Sequence, residues 1–70
     1  MAALHNLDDE RDVMLADLDR ERRDHQRLTF NAARLEREGA HPDYIRRVRE
    51  ARDICARWID RITRNLEEAA

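Results

Sequence analysis

Several residue types are scarce in this 70-residue chain, and each scarcity excludes something. Cys55 is the one cysteine, so an internal disulfide is impossible, and no set of cysteines and histidines has zinc spacing. One glycine and one proline leave little room for the turns of a β-sheet. No apolar run approaches the 18 or so residues of a membrane-spanning helix.

The opening residues, Met-Ala-Ala-Leu-His-Asn, lack the basic and apolar regions of a secretory signal. A single thiol also fits a reducing compartment better than secretion. All fourteen basic residues are arginine, as in proteins from GC-rich genomes. We therefore expect a cytoplasmic protein of a bacterium or its phage, with no membrane partner.

Charged residues make up 43 % of the chain, yet the net charge is only −2 and the apolar residues recur with helical spacing. Gly39 suits the left-handed position after a helix, and Pro42 suits the first turn of the next one. The pattern predicts one all-α domain over residues 1–70. Its first helix covers about 6–38, capped by Asn6, its turn 39–41, and its second helix about 42–67.

Apolar residues at steps of three and four form one stripe on each predicted helix. Arg11, Glu21 and His25 interrupt the first stripe, and Arg52 interrupts the second. The stripes predict an antiparallel, coiled-coil-like hairpin. Its predicted core consists of Leu7, Met14, Leu18, Leu28, Leu35, Ile45, Val48, Cys55, Ile59, Ile62 and Leu66.

Folding at Gly39 sets the register, since residues whose numbers sum to about 80 then lie at one level. Apolar residues meet apolar residues at most levels. Charge agrees with this register, because residues 4–24 carry a net charge of −4 and residues 45–64 carry +4.

A chain of this length seldom builds a core worth more than about 3–5 kcal/mol without a disulfide, a metal or another chain. We therefore expect the hairpin to be completed into a helical bundle by dimerisation or by a different protein. Residues beside or outside the predicted core are the candidates for that interface, namely Tyr44, Trp58, Phe30 and Ala51.

Two arrangements have the residue types of a metal site or a nucleophilic cysteine, but each lacks a part that such a site needs. Glu38 and His41 have the Glu-x-x-His spacing of di-iron bundles, but the motif occurs once and across a helix break. His25 and Cys55 fall at one level with Glu21 a turn away, but a hairpin this small offers no substrate cleft. We expect no enzyme activity, no metal, no cofactor and no small-molecule substrate.

A cluster of arginines begins the second helix and consists of Arg46, Arg47, Arg49 and Arg52. Such a cluster could contact nucleic-acid phosphates. Interleaved acids and the acidic overall charge favour a solvated helix face instead.

The turn region, Ala33–Tyr44, contains Leu-x-Arg, Gly-Ala and Pro-acid-aromatic elements between two helices. With a one-residue shift around Glu38, it resembles the turn of the small two-helix co-chaperones of type III secretion needle subunits. The resemblance implies a cytoplasmic hairpin that pairs with a larger helical-repeat co-chaperone. It implies that the pair holds the needle subunit unpolymerised before export.

The residues favour a protein-binding adaptor or co-chaperone that buries an apolar helix face against another protein. Two alternatives stay open. One is a homodimeric four-helix bundle with a regulatory role, in which the arginine cluster could contact nucleic acid. The other is a phage-encoded inhibitor that masks a host protein.

Overall fold

The computed structural model describes the backbone of residues 2–69 and the side chains of residues 9–69. Two α-helices, α1 (Ala2–Glu38) and α2 (Pro42–Ala69), pack against each other. The described residues contain no strand, so the predicted all-α hairpin is confirmed. The hairpin is a rod of 57 × 16 × 14 Å. No described helix is long and apolar enough to cross a membrane.

The bounds of α1 reach back to Ala2, ahead of the predicted start near residue 6, and α2 continues to Ala69. The side chains of Asn6 and Leu7, the predicted cap and the first predicted core residue, lie outside the described residues.

The turn ends α1 with two backbone hydrogen bonds that run back into its last turn. The Gly39 amide donates to the Glu36 carbonyl at 3.2 Å, and the Ala40 amide donates to the Leu35 carbonyl at 3.0 Å. This pair is the Schellman arrangement, which requires a left-handed residue after the helix. Gly39 supplies it with φ of 71°. The glycine is therefore present for its backbone conformation.

The start of α2 is capped by His41. Its Nδ1 accepts a hydrogen bond from the Asp43 amide at 3.1 Å, and its carbonyl oxygen accepts hydrogen bonds from the amides of Tyr44 and Ile45. An imidazole nitrogen thus takes the place of the usual hydroxyl or carboxylate cap. Pro42 follows at the first helical position, where its missing N–H leaves no bond unmade.

The interface between α1 and α2 is a thin line of apolar side chains, which we call the seam. Leu18 and Ala32 are its most buried members, with 7 % and 3 % of their surface exposed. Apart from Leu18, the predicted core residues with described side chains are half-buried: Met14, Leu28, Leu35, Ile45, Val48, Cys55, Ile59, Ile62 and Leu66. A two-helix interface leaves every seam residue open on at least one side, which explains why so few are fully buried.

Ion pairs mostly join residues of the same helix, as in Arg20–Asp17 and Arg64–Asp60, both at 3.0 Å. Among the side chains of residues 9–69, one ion pair joins the two helices, between Arg49 and Glu36. Exposed pairs of this kind are worth about 0–1 kcal/mol each. Apolar packing along the seam therefore supplies most of the contact between the helices.

Candidate functional site

The polar residues of the predicted seam do not form a buried site. Arg11 is exposed, whereas Glu21, His25 and Arg52 are half-buried. In the described part of the chain, every buried side-chain nitrogen or oxygen has a hydrogen-bond partner. The seam therefore tolerates these residues by leaving their polar ends near water.

Cys55 faces Glu21 across the seam. Partial burial raises the pKa of the Cys55 thiol, and the nearby Glu21 carboxylate, as a hydrogen-bond acceptor and a negative charge, raises that pKa further. A nucleophilic cysteine needs the opposite shift, because the thiolate is the reactive form. The environment of Cys55 thus favours the neutral thiol and suits a packing role.

The Glu-x-x-His spacing at the turn is also used for structure. His41 caps α2, and Glu38 lies 3.9 Å from Arg34 in an exposed ion pair. In the described residues no three His, Cys, Asp or Glu side chains converge in a way that could hold a metal ion.

The feature that the seam does not explain is a second stripe on α2. It follows the same alternating steps of three and four as the seam, one position over, and we call it the outer stripe. Its members are Tyr44, Arg47, Ala51, Ile54, Trp58 and Arg61.

Three large apolar side chains of the outer stripe are open to solvent. Tyr44 is 55 % exposed, Ile54 is 49 % exposed and Trp58 is 48 % exposed. Ala51 between them is half-buried. A spacing of seven residues separates Tyr44, Ala51 and Trp58, so all three point to one side of the helix. The hairpin thus presents exposed apolar side chains over residues 44–58 of α2, interrupted by Arg47.

Trp58 lies between two shallow grooves. Ile54, Arg57 and Arg61 line the groove on the outer side, where the Arg61 guanidinium carbon lies 5.6 Å from the centre of the indole ring. That distance is in the range of a cation–π contact. Ile62 of α2 and the α1 residues Asp17, Arg20 and Glu21 line the other groove. The indole therefore has an apolar face flanked by arginines on its outer side.

The structure divides the predicted interface residues into two groups. Tyr44, Ala51 and Trp58 lie on the outer stripe, whereas Phe30, 67 % exposed, lies on the far side of α1. Phe30 adjoins His25, Gln26, Thr29 and Ala33. One docking surface of the size of a single helix cannot include all four predicted residues.

Sequence reasoning missed Ile54, although it precedes Trp58 by four residues and so shares its face. It also missed Val13, which is 58 % exposed near the open end of α1. Spacing from Trp58 could have found Ile54. No comparable signal marked Val13, because it lies beside an otherwise regular stripe.

The arginine cluster at the start of α2 is largely neutralised. Arg46 pairs with Asp43 at 3.4 Å and approaches Glu50 at 4.0 Å. Arg49 pairs with Glu36, and Arg52 lies 3.4 Å from Asp53. These nearby carboxylates oppose the approach of phosphates, which weakens the case for a nucleic-acid surface.

The fold and the surface together define a two-helix hairpin with one apolar seam inside and one apolar stripe outside. No protein-family model, curated protein or solved structure matches the chain. A role for the hairpin is therefore inferred from the geometry and charge of its own surface.

Proposed function

We propose that this chain is a non-enzymatic protein-binding module, an adaptor or co-chaperone that buries the outer stripe of α2 against another polypeptide. The single observation that carries this proposal is the exposure of Tyr44, Ile54 and Trp58 along one face of a regular helix. Contiguous exposed apolar surface on a small domain commonly marks an interaction site.

The spacing of these side chains suits one kind of ligand. Anchors at steps of three, four and seven residues are how one amphipathic helix docks along another. Burying a large apolar side chain contributes about 1.5–3 kcal/mol, so the stripe offers a substantial driving force before ordering costs. Trp58 is the strongest anchor, because tryptophan is enriched among the residues that dominate binding energy.

A finer form of the proposal is a co-chaperone of type III secretion needle subunits. The hairpin plan and the Gly39–Pro42 turn support it. In that case the outer stripe would meet a larger helical-repeat co-chaperone.

The experiment compares Trp58→Ala with Phe30→Ala in the full chain. A photoreactive group in place of Ile54 identifies the bound polypeptide, and the affinity of each variant for that polypeptide is then measured. We expect Trp58→Ala to weaken binding about 30-fold, the equivalent of about 2 kcal/mol. Phe30→Ala also removes an exposed aromatic ring, but from the far side of α1, and should change the affinity little.

Helicity of both variants is followed by circular dichroism. The proposal predicts that Trp58→Ala leaves helicity nearly unchanged. Equal losses of affinity in the two variants, or a loss of helicity in Trp58→Ala that matches its loss of binding, would show that Trp58 is not a docking residue.

A further inference from the structure

We propose that a second copy of this chain covers the outer stripe, in a symmetric dimer in which the acidic open end of α1 lies on the basic groove beside Trp58. This inference rests on the proposed function, because it names an occupant for the same surface. A foreign helix and the second copy would compete for it.

Two exposed patches of opposite charge carry the inference. The first, the Trp58 patch, is basic and consists of Ile54, Arg57, Trp58 and Arg61. The second, the Val13 patch, is acidic and consists of Asp9, Glu10, Val13 and Met14. Each has an apolar centre with charged residues around it, and the two signs are complementary.

Both patches lie towards the same flank of the hairpin. Trp58 shares a groove with Asp17 and Arg20 of α1. Val13 is one helical turn before Asp17, so it lies on the same flank of α1. One side of the rod therefore carries the Trp58 patch near its middle and the Val13 patch towards its open end.

The charges in these patches are available for a second chain. Most arginines of the hairpin pair with a neighbouring carboxylate, as Arg20 and Arg64 do. Within residues 9–69, Arg57 and Arg61 are among the six arginines with no carboxylate within 4.0 Å, and Asp9 and Glu10 are among the acids with no basic group within that distance. Complementary charges at an interface favour the correct partner and orientation.

The positions of the patches allow both contacts to form at once. The groove that Trp58 shares with α1 extends from Asp17 to Glu21. Val13 lies four to eight residues before these positions, which is roughly 6–12 Å along the helix. A two-fold axis that lies in the interface, midway between the patches and perpendicular to the line joining them, exchanges the two. Each Val13 patch then meets the Trp58 patch of the other copy, and every contact occurs twice. The sideways offset of the patches sets the angle at which the two rods cross.

The hairpin has area to spare for such an interface. It exposes 5840 Å², whereas a compact monomer of its mass would expose about 4,600 Å². The excess of roughly 1,200 Å² exceeds the ~800 Å² that each chain buries in a standard interface. Self-association would thus supply the apolar burial that a thin two-helix rod lacks.

The test is a reciprocal charge exchange in the full-length chain, with dimer dissociation measured by sedimentation equilibrium. One variant is Arg57→Glu with Arg61→Glu, and the other is Asp9→Arg with Glu10→Arg. Each should weaken its own dimer about tenfold or more, because like charges then face each other twice. In an equimolar mixture the two variants should form a heterodimer. One of its two contacts joins the exchanged Trp58 patch, now acidic, to the exchanged Val13 patch, now basic, so the charges are again opposite.

That heterodimer also retains one contact between the two unexchanged patches, which are again of opposite sign. Its affinity should therefore be near that of the wild-type dimer, and well above that of either variant alone. A mixture that shows no rescue would overturn the inference. So would a wild-type chain that stays monomeric up to millimolar concentration.

Arg22→Glu with Arg37→Glu is the matched control, because it makes the same change in net charge as the arginine exchange at two exposed arginines that belong to neither patch. We expect this control to dimerise like the wild-type chain. If it weakens the dimer as much as the arginine exchange does, net charge and not the Trp58 patch governs association, and the inference fails.

The proposed function and this inference can fail separately. If the charge exchanges leave association unchanged while Trp58→Ala still abolishes binding of another polypeptide, the second copy is excluded and the docking surface stands. If Trp58→Ala affects neither self-association nor binding of another polypeptide, both proposals fail.

Discussion

The seam and the outer stripe of α2 follow the same repeat one residue apart, yet only the seam is covered. Ile59 of the seam is only partly exposed, because it packs against α1. Ile54 of the outer stripe is open to solvent, with 49 % of its surface exposed. A single partner helix covers a narrow arc of α2, and the apolar arc of α2 is wider than that. The difference shows that α2 carries apolar surface beyond what its own hairpin uses.

α1 lacks an equivalent second stripe among its described side chains. Its exposed apolar residues, Val13, Leu15 and Phe30, lie on different sides of the helix. Arginines and acids occupy most of the remaining surface of α1 and pair along the helix, as Arg20 does with Asp17. The two helices therefore differ in their exposed apolar surface, because α2 carries a second stripe besides the seam and α1 carries only separate exposed apolar residues.

The difference between the two stripes is tested most directly by replacing one isoleucine in each of them with alanine. Ile59→Ala should lower the free energy of unfolding by about 2 kcal/mol, the lower end of the range for a core isoleucine, because Ile59 is only half-buried. Ile54→Ala should lower it by at most about 0.5 kcal/mol in the monomer, as surface substitutions do. Urea unfolding at high dilution measures both.

Binding should show the reverse order, with Ile54→Ala weakening association more than Ile59→Ala once the loss of folded chain is taken into account. If the two variants unfold at the same urea concentration, the outer stripe is not exposed as described and the distinction between the stripes is wrong.

The turn holds α2 with the seam facing α1. Backbone strain in the turn should therefore lower the stability of the hairpin. Gly39→Ala places a Cβ in open space but at a φ of 71°, which costs an L-residue about 1–2 kcal/mol. Thermal unfolding should show that loss. Gly39→Asn should lose less, because asparagine tolerates this conformation better, and equal losses would argue against a backbone cause.

The smallest effect concerns the ion pair between the helices. Removing Glu36, Arg49 or both in a double-mutant cycle should give a coupling energy of about 0.2–1 kcal/mol, because both side chains are about half exposed. High salt should reduce this coupling further. A coupling above that range would mean that charge, and not the apolar seam, sets the register.

The hairpin could be predicted from few residues because its signals are local. Gly39 and Pro42 mark the turn through backbone conformation alone, and helical spacing marks the seam. The cap by His41 was not predicted, since imidazole is an uncommon cap whose role depends on the orientation of one ring.

The surface was only partly predictable. Spacing placed Tyr44 and Trp58 beside the seam. It also grouped Cys55 with His25 and Glu21, but it did not show that Glu21 would be the group beside the thiol. Two residues at the same level lie at the same position along the rod, but their side chains can point to different flanks. Phe30 was named with Trp58 because both rings were expected to be exposed, and exposure alone does not place two residues on one surface.

The most direct test follows the emission of Trp58 and the molecular mass together across a dilution series. Trp58 is the one tryptophan, so its fluorescence reports on the outer stripe and the two grooves beside it. We predict that dimer mass appears with rising concentration and that the emission shifts to shorter wavelength in step with it. A dimer that forms without any change in Trp58 emission, or an emission of exposed indole with monomer mass at every concentration, would contradict burial of the outer stripe by a second copy.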